Sequence, residues 1–186
     1  YVKQGNLGSF TLGPFAVLAL ELSNVGATRA SGGVWCPPNP IASITKLKRD
    51  RYGNLIIGPD GKPAQAVVPF ATPKCEQVVD RGLANAMANA MSQDHLGAGT
   101  AAAAARGSGW TLPMSGKTGT TEAHRSSAFL GYTNNLAAAV YAYNDGPTPS
   151  ELCSGPLRQC GFGNLYGGSE PARTWYTGML PVADKF

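Results

Sequence analysis

The sequence predicts a mixed chain, α/β of the α+β type, with helices in its first half and an antiparallel sheet in its second. Three observations carry that expectation. Residues 76–96 space their apolar side chains at a helical period, and residues 114–143 hold three strand-like runs joined by very short links. The third is size and composition: 186 residues, 43% apolar and only 14% charged, make one globular domain with a real core.

The first helix is expected over residues 19–31, where Leu18, Leu22 and Val25 recur at helical spacing and Gly32-Gly33 supplies a stop. Residues 40–47 are rich in β-branched side chains and read as a strand. A turn over residues 51–54 leads into Leu55-Ile56-Ile57 as its hairpin partner, and residues 60–63 read as another turn. In the helix expected over residues 76–96, Val79, Leu83, Met87, Ala90 and Met91 form one apolar stripe, with the methionines as core. Gly97-Ala98-Gly99 ends it, and the alanines of residues 100–105 read as a short helix or loop. Residues 114–121, 127–133 and 136–143 are then three successive strands, with Asn134-Asn135 as a tight turn, so they form an antiparallel meander. A helix over residues 170–180 closes the chain.

Composition excludes several classes. A net charge of +4, with Lys46, Lys48, Arg49 and Arg51 as the only basic cluster, argues against nucleic acid. No apolar run approaches the ~20 residues of a membrane span. The four cysteines, Cys36, Cys75, Cys153 and Cys160, contain no C-x-x-C pair, so neither a metal nor a cofactor is expected. Their even number and the low charge favour disulfides and an oxidising compartment. Of three connectivities, Cys153 with Cys160 across a Gly/Pro-containing loop is preferred, which leaves Cys36 with Cys75.

The stretch Ser115-Gly116-Lys117-Thr118-Gly119-Thr120-Thr121 admits two chemistries. A phosphate loop requires G-x-x-x-x-G-K-[ST] opening a helix; the first glycine position is Thr111, and Gly119, Thr120 and Thr121 are poor helix formers. On a strand, alternation sends Lys117 one way and Thr118 with Thr120 the other. The glycines leave the backbone bare for a substrate to approach, and the lysine and hydroxyls suit a carboxylate.

Lys117 to Thr121, then Ala128-Phe129-Leu130-Gly131-Tyr132-Thr133, then residues 136–145, resemble the C-terminal part of the transpeptidase domain of class A penicillin-binding proteins. Upstream, Leu20 to Val25 and Ser31-Gly32-Gly33 resemble that family's helix ending in Gly-Gly. Tyr166-Gly167-Gly168, Pro171-Ala172 and Trp175 resemble its closing segment. The resemblance runs in order along nearly the whole chain. It implies an antiparallel sheet between helical layers and an acyl-enzyme chemistry in which a serine attacks D-Ala-D-Ala stem peptides of peptidoglycan. β-Lactams are trapped by the same serine. It further implies Lys117, Thr118, Gly119 and Thr120 as catalytic-strand residues, and Thr118, Thr120 and Thr121 as contacts to substrate. The Thr120 N–H is implied as half of an oxyanion hole.

The family's S-x-x-K and S-x-N motifs lack a convincing counterpart. Ser43-Ile44-Thr45-Lys46 has the letters, but the motif works where residues three apart share a helix face, and these lie in an expected strand. Residues 1–186 are therefore expected to be the C-terminal portion of one transpeptidase domain, without its nucleophile and inactive alone. The expected partners are stem peptides, β-lactams and the remainder of the domain, in an extracytoplasmic setting with an N-terminal anchor on the full-length protein. His95 is expected to be structural, a cation against a helix C-terminus, His124 to rim the cleft, and Arg125 to be a solvated loop charge, with contact to an anionic peptide as the alternative. The rival expectations are a β-lactamase or D,D-carboxypeptidase relative, and a non-catalytic module of the same fold.

Overall fold

The computed structural model describes residues 13, 16–148, 150–153 and 164–184. The chain divides into two compact units, one of Cys36–Glu76 and one of Tyr1–Trp35 with Gln77–Phe186. In chain order the elements are α1 (Ala19–Ala30), β1 (Val34–Trp35), β2 (Ile44–Leu47), β3 (Gln65–Val68), β4 (Glu76–Gln77), α2 (Arg81–Met91), α3 (Ala102–Ser108), β5 (Ser115–Thr120), β6 (Ser126–Tyr132), β7 (Ala137–Tyr143) and α4 (Glu170–Met179).

The larger unit is built on the antiparallel sheet β5-β6-β7, in the strand order the meander predicts. Thr118 lies opposite Phe129, and Phe129 opposite Val140, so these three share one face. That face packs on α4: Phe129, Trp175, Tyr176 and Trp110 are buried, with ring centroids 5.1 to 5.7 Å apart in edge and tilted contacts. Trp175 donates its indole N–H to Ala138 O at 3.0 Å, so a polar tip in the core is satisfied. Leu130 and Tyr132 point to the opposite face, against Met91 of α2 and Leu22 and Ala30 of α1. Helix α1 lies close because Gly26 is small: a Cβ there would meet Leu130 Cδ1 at 3.0 Å. The result is helices on both sides of an antiparallel sheet, the α+β fold expected.

Two helices differ from expectation. The helix expected over residues 76–96 is confined to Arg81–Met91, because the Asp80 carboxylate accepts the Leu83 N–H at 3.2 Å and sets the N-cap there. Before it, the Gln77 amide bonds Gly32 O and Val79 O, which holds that stretch extended. The expected stripe also shifts. Leu83 and Met87 are exposed, and the packed side is Ala84, Ala88 and Met91. Small residues are needed there because Ser115 Oγ of β5 donates to Ala88 O at 2.7 Å. In α1 the packed side is Leu22, Gly26 and Ala30, while Leu18 and Val25 are exposed.

In the smaller unit, β2 pairs antiparallel with β3, Ile44 opposite Val68 and Leu47 opposite Gln65. The expected partner, residues 55–57, forms isolated bridges instead, Arg49 to Leu55 and Ile57 to Pro63. A second turn, closed by Gly58 N–H to Lys62 O at 2.8 Å, sends the chain back again, and Ala64 N–H then takes Ile56 O. Cys36 and Cys75 form a disulfide, 4.2 Å between Cα atoms. The expected partner of Cys153, Cys160, lies outside the described residues.

Candidate active site

Strand β5 carries Lys117, Thr118, Gly119 and Thr120 at one edge of the sheet, with Thr121 immediately after it. The segment does not open a helix, as a phosphate loop would. Its start is fixed by Ser115 on α2 and by Gly116, where a Cβ would come within 2.8 Å of Phe129 Cζ. Its end is fixed by a turn in which Thr121 N–H donates to Ser126 O at 2.9 Å and Ser126 N–H to Thr121 Oγ1 at 2.8 Å. The hydroxyl of Thr121 is thereby held on the turn.

The inward direction of Thr121 N–H orients the rest of the strand. Amides alternate along an antiparallel pair, so those of Lys117 and Gly119 also point to β6, and those of Thr118 and Thr120 point out from the free edge. The carbonyl of Thr118 faces outward with its own amide. Lys117 Nζ donates to that carbonyl at 2.8 Å, which brings an ammonium group to the edge even though its side chain leaves the opposite face from Thr118.

Above the threonine face lies the approach to α4. Gly167 donates its N–H to Thr120 Oγ1 at 3.1 Å, and Ser127 Oγ donates to Leu165 O at 2.7 Å. Only glycine fits at 167: a Cβ would sit closer than van der Waals contact to the backbone of Ala128 and Gly119. Gly168 is equally confined by Thr100 O. Thr100 Oγ1 lies 2.7 Å from Thr118 Oγ1 and donates to Asp94 Oδ1 at 2.5 Å. A groove of about 570 Å³ runs beside the start of β5, lined among others by Met91, Asp94, Gly99, Thr100, Gly116 and Lys117.

Sequence reasoning found the strand and missed its supports. Asp94 stood in the tail of an expected helix and Thr100 at the start of an alanine-rich stretch read as a short helix or loop, and no local signal marks either. Ser43 and Lys46 stay apart in role: Ile44–Leu47 is a strand, so the two do not share a helix face. His95 is buried, and burial holds its imidazole below the ordinary value despite the opposing charge of Asp94. It is a neutral core group rather than the helix-capping cation expected. His124 stacks edge-on with Tyr166, ring centroids 4.6 Å apart, and no described hydrogen bond links it to Lys117 or Thr118. Arg125 is exposed beside it. Among the described residues no group of three or more His, Cys, Asp or Glu is placed to hold a metal, and no helix is long and apolar enough to cross a membrane.

A three-stranded antiparallel sheet covered by helices on both faces, with Lys-Thr-Gly on its edge strand, is a fold of the penicillin-binding-protein type. The chain is similar to the crystal structure of penicillin-binding protein 1A from Haemophilus influenzae, with a TM-score of 0.62 and 20% sequence identity. The likeness covers 96% of this chain and 28% of that protein, so this chain spans less than a third of its length. At that identity the likeness is one of fold. No protein-family model and no curated protein matches the chain.

Proposed function

We propose that this chain is the Lys-Thr-Gly-bearing portion of a serine D,D-transpeptidase domain, a protein of the cell envelope that forms an acyl-enzyme with peptidoglycan stem peptides and is trapped by β-lactams. The observation that carries this reading is the convergence at one free strand edge of the Lys117 ammonium, the outward N–H groups of Thr118 and Thr120, and two threonine hydroxyls. An extended peptide laid along that edge meets backbone donors as a further strand would. An acyl carbonyl beside Thr120 takes a hydrogen bond that strengthens as charge develops on its oxygen. Lys117 supplies positive potential for a carboxylate and a donor for the proton network. Thr118 and Thr120 contact the substrate's terminus, and Thr121 fixes the strand end through its bonds to Ser126. Gly119, without a side chain, leaves the ribbon open to the ligand.

The nucleophile falls outside this set. Loss of a nucleophile costs about a millionfold in rate, against roughly a hundred- to a thousandfold for one oxyanion donor. The 186-residue chain therefore takes no covalent label from fluorescent penicillin, whereas the intact gene product does. An intact protein that stays unlabelled at saturating penicillin points instead to a non-catalytic module. Labelling of the isolated chain that disappears in Ser43→Ala would return Ser43 and Lys46 to the site.

A further inference from the structure

The smaller unit keeps a strand edge that its own fold does not use. Lys48 N–H donates to Ala64 O at 2.8 Å, and Lys48 O accepts the Ile56 N–H at 3.1 Å, so both backbone groups of Lys48 face the segments it pairs with. Alternation turns those of Lys46 the same way, toward Ala66, and those of Thr45 and Leu47 away from the sheet. Among the described residues no backbone group meets Thr45 or Leu47 on that outer side. The side chains divide the strand into two faces. Thr45 and Leu47 lie opposite Val67 and Gln65 and share their face, and the bridge from Arg49 to Leu55 continues it. Leu47, Leu55 and Val67 are exposed there, Val67 at 73%. The other face carries Lys46 and Lys48 beside Ile44. Both lysines are exposed, and neither is ion-paired among the described residues. Asp50, the carboxylate nearest in sequence, is taken up in its own turn, where it accepts the N–H groups of Tyr52 and Asn54. Cys36–Glu76 holds six lysines and arginines against three acidic residues, so the unit is basic as a whole.

We propose that the outer edge of β2 docks an extended segment of another protein, added as a further strand, whose side chains alternate between apolar and acidic. Thr45 and Leu47 supply the outward N–H donors and carbonyl acceptors that such a strand pairs with. Every second side chain of the incoming segment then lies on the apolar face beside Leu47. Those between lie beside Lys46 and Lys48, where a carboxylate meets opposite charge. Two copies of this chain joined antiparallel through the same edge would set lysines opposite lysines, so the charges select against self-association. A flat anionic surface would engage the lysines and leave the outward N–H groups unbonded, so the open edge favours a strand over it. The inference concerns the smaller unit by itself and does not depend on the transpeptidase reading.

The test uses the intact gene product and a short fluorescein-labelled peptide of alternating valine and glutamate, with binding followed by fluorescence anisotropy. The parent is expected to bind it. A peptide of the same composition with its valines and glutamates in two blocks is expected to bind roughly tenfold more weakly, because it cannot sort its side chains onto two faces. The double substitution Lys46→Glu with Lys48→Glu is expected to weaken binding of the alternating peptide roughly tenfold or more. Thr45→Pro removes an outward donor and no hydrogen bond of the fold, and edge strands tolerate proline, so it is expected to weaken binding by about tenfold as well. A second readout needs no variant. Hydrogen exchange resolved to single residues is expected to slow at Thr45 and Leu47 when the peptide is added to the parent. Absence of binding, equal binding of the block peptide, or binding that leaves exchange at Thr45 and Leu47 unchanged overturns the proposal. So does displacement of the peptide by phosphatidylglycerol vesicles or polyglutamate at equal charge concentration, which would make this a surface that reads charge alone.

Discussion

Gly167 donates its backbone N–H to the hydroxyl of Thr120 across 47 residues of sequence, and it sits so close to the strand that no Cβ fits between them. This one contact joins the start of the C-terminal helix to the end of the Lys-Thr-Gly strand. It also fixes the Thr120 side chain against the approach to α4.

Gly167→Ala should therefore disturb strand and helix together. The obstructing atoms are backbone, of Ala128 and Gly119, and cannot swing away as a side chain tip would. The expected cost is about 1–3 kcal/mol, read as a fall of several degrees in Tm. A Tm within a degree of the parent would show that the segment moves aside freely.

Trp175 anchors the aromatic cluster beneath the sheet and donates to Ala138 O. Trp175→Ala leaves a cavity and an unpaired carbonyl, with an expected loss of about 3–5 kcal/mol in urea unfolding. Leu83→Ala, on the exposed side of α2, is expected to change stability by no more than about 0.5 kcal/mol. Equal losses at the two positions would mean that α2 packs on the stripe its sequence suggests, and not on Ala84, Ala88 and Met91.

The Cys36–Cys75 disulfide closes a loop across a sequence separation of 39 around a small sheet whose β2 residues are all exposed. A unit with so little apolar burial depends on its cross-link, worth about 2–4 kcal/mol. Reduction is expected to speed amide exchange at Lys46 and Ala66 while the β5-β6-β7 amides keep their protection. Hydrogen exchange followed by mass spectrometry reads both regions in one experiment. Unchanged exchange in the small unit would show that its hydrogen bonds suffice.

His95 carries a sign that can be checked. Its folded-state value lies below its ordinary value near 6.5, first because burial disfavours the imidazolium. The unfolded chain thus binds the extra proton more readily, so this contribution to stability is present above about pH 6.5 and is lost as the pH falls below it. Tm should drop between pH 7.5 and pH 5 by more in the parent than in His95→Gln. Equal drops in the two proteins would show that other groups govern acid sensitivity.

The sequence by itself determined what depends on neighbours in the chain. Alternation over residues 114–143, with Asn134-Asn135 between the last two strands, specified a meander whose order and pairing the structure reproduces. The same period of two separated Lys117 from Thr118 and kept Ser43 and Lys46 off a shared helix face. The limits of α2 were not legible in this way. Apolar spacing in residues 76–96 continues past both ends of the helix, and only the Asp80 cap and the approach of Ser115 to Ala88 select its length and packed side. The hydrogen-bond partners of the site's hydroxyls were decided furthest from the local sequence. Whether a threonine hydroxyl gives or takes a proton depends on what meets it, and Thr118 meets Thr100 across 18 residues while Thr120 meets Gly167 across 47. A residue's type sets which hydrogen bonds it is able to make; the tertiary fold supplies the partner, and the partner settles the direction.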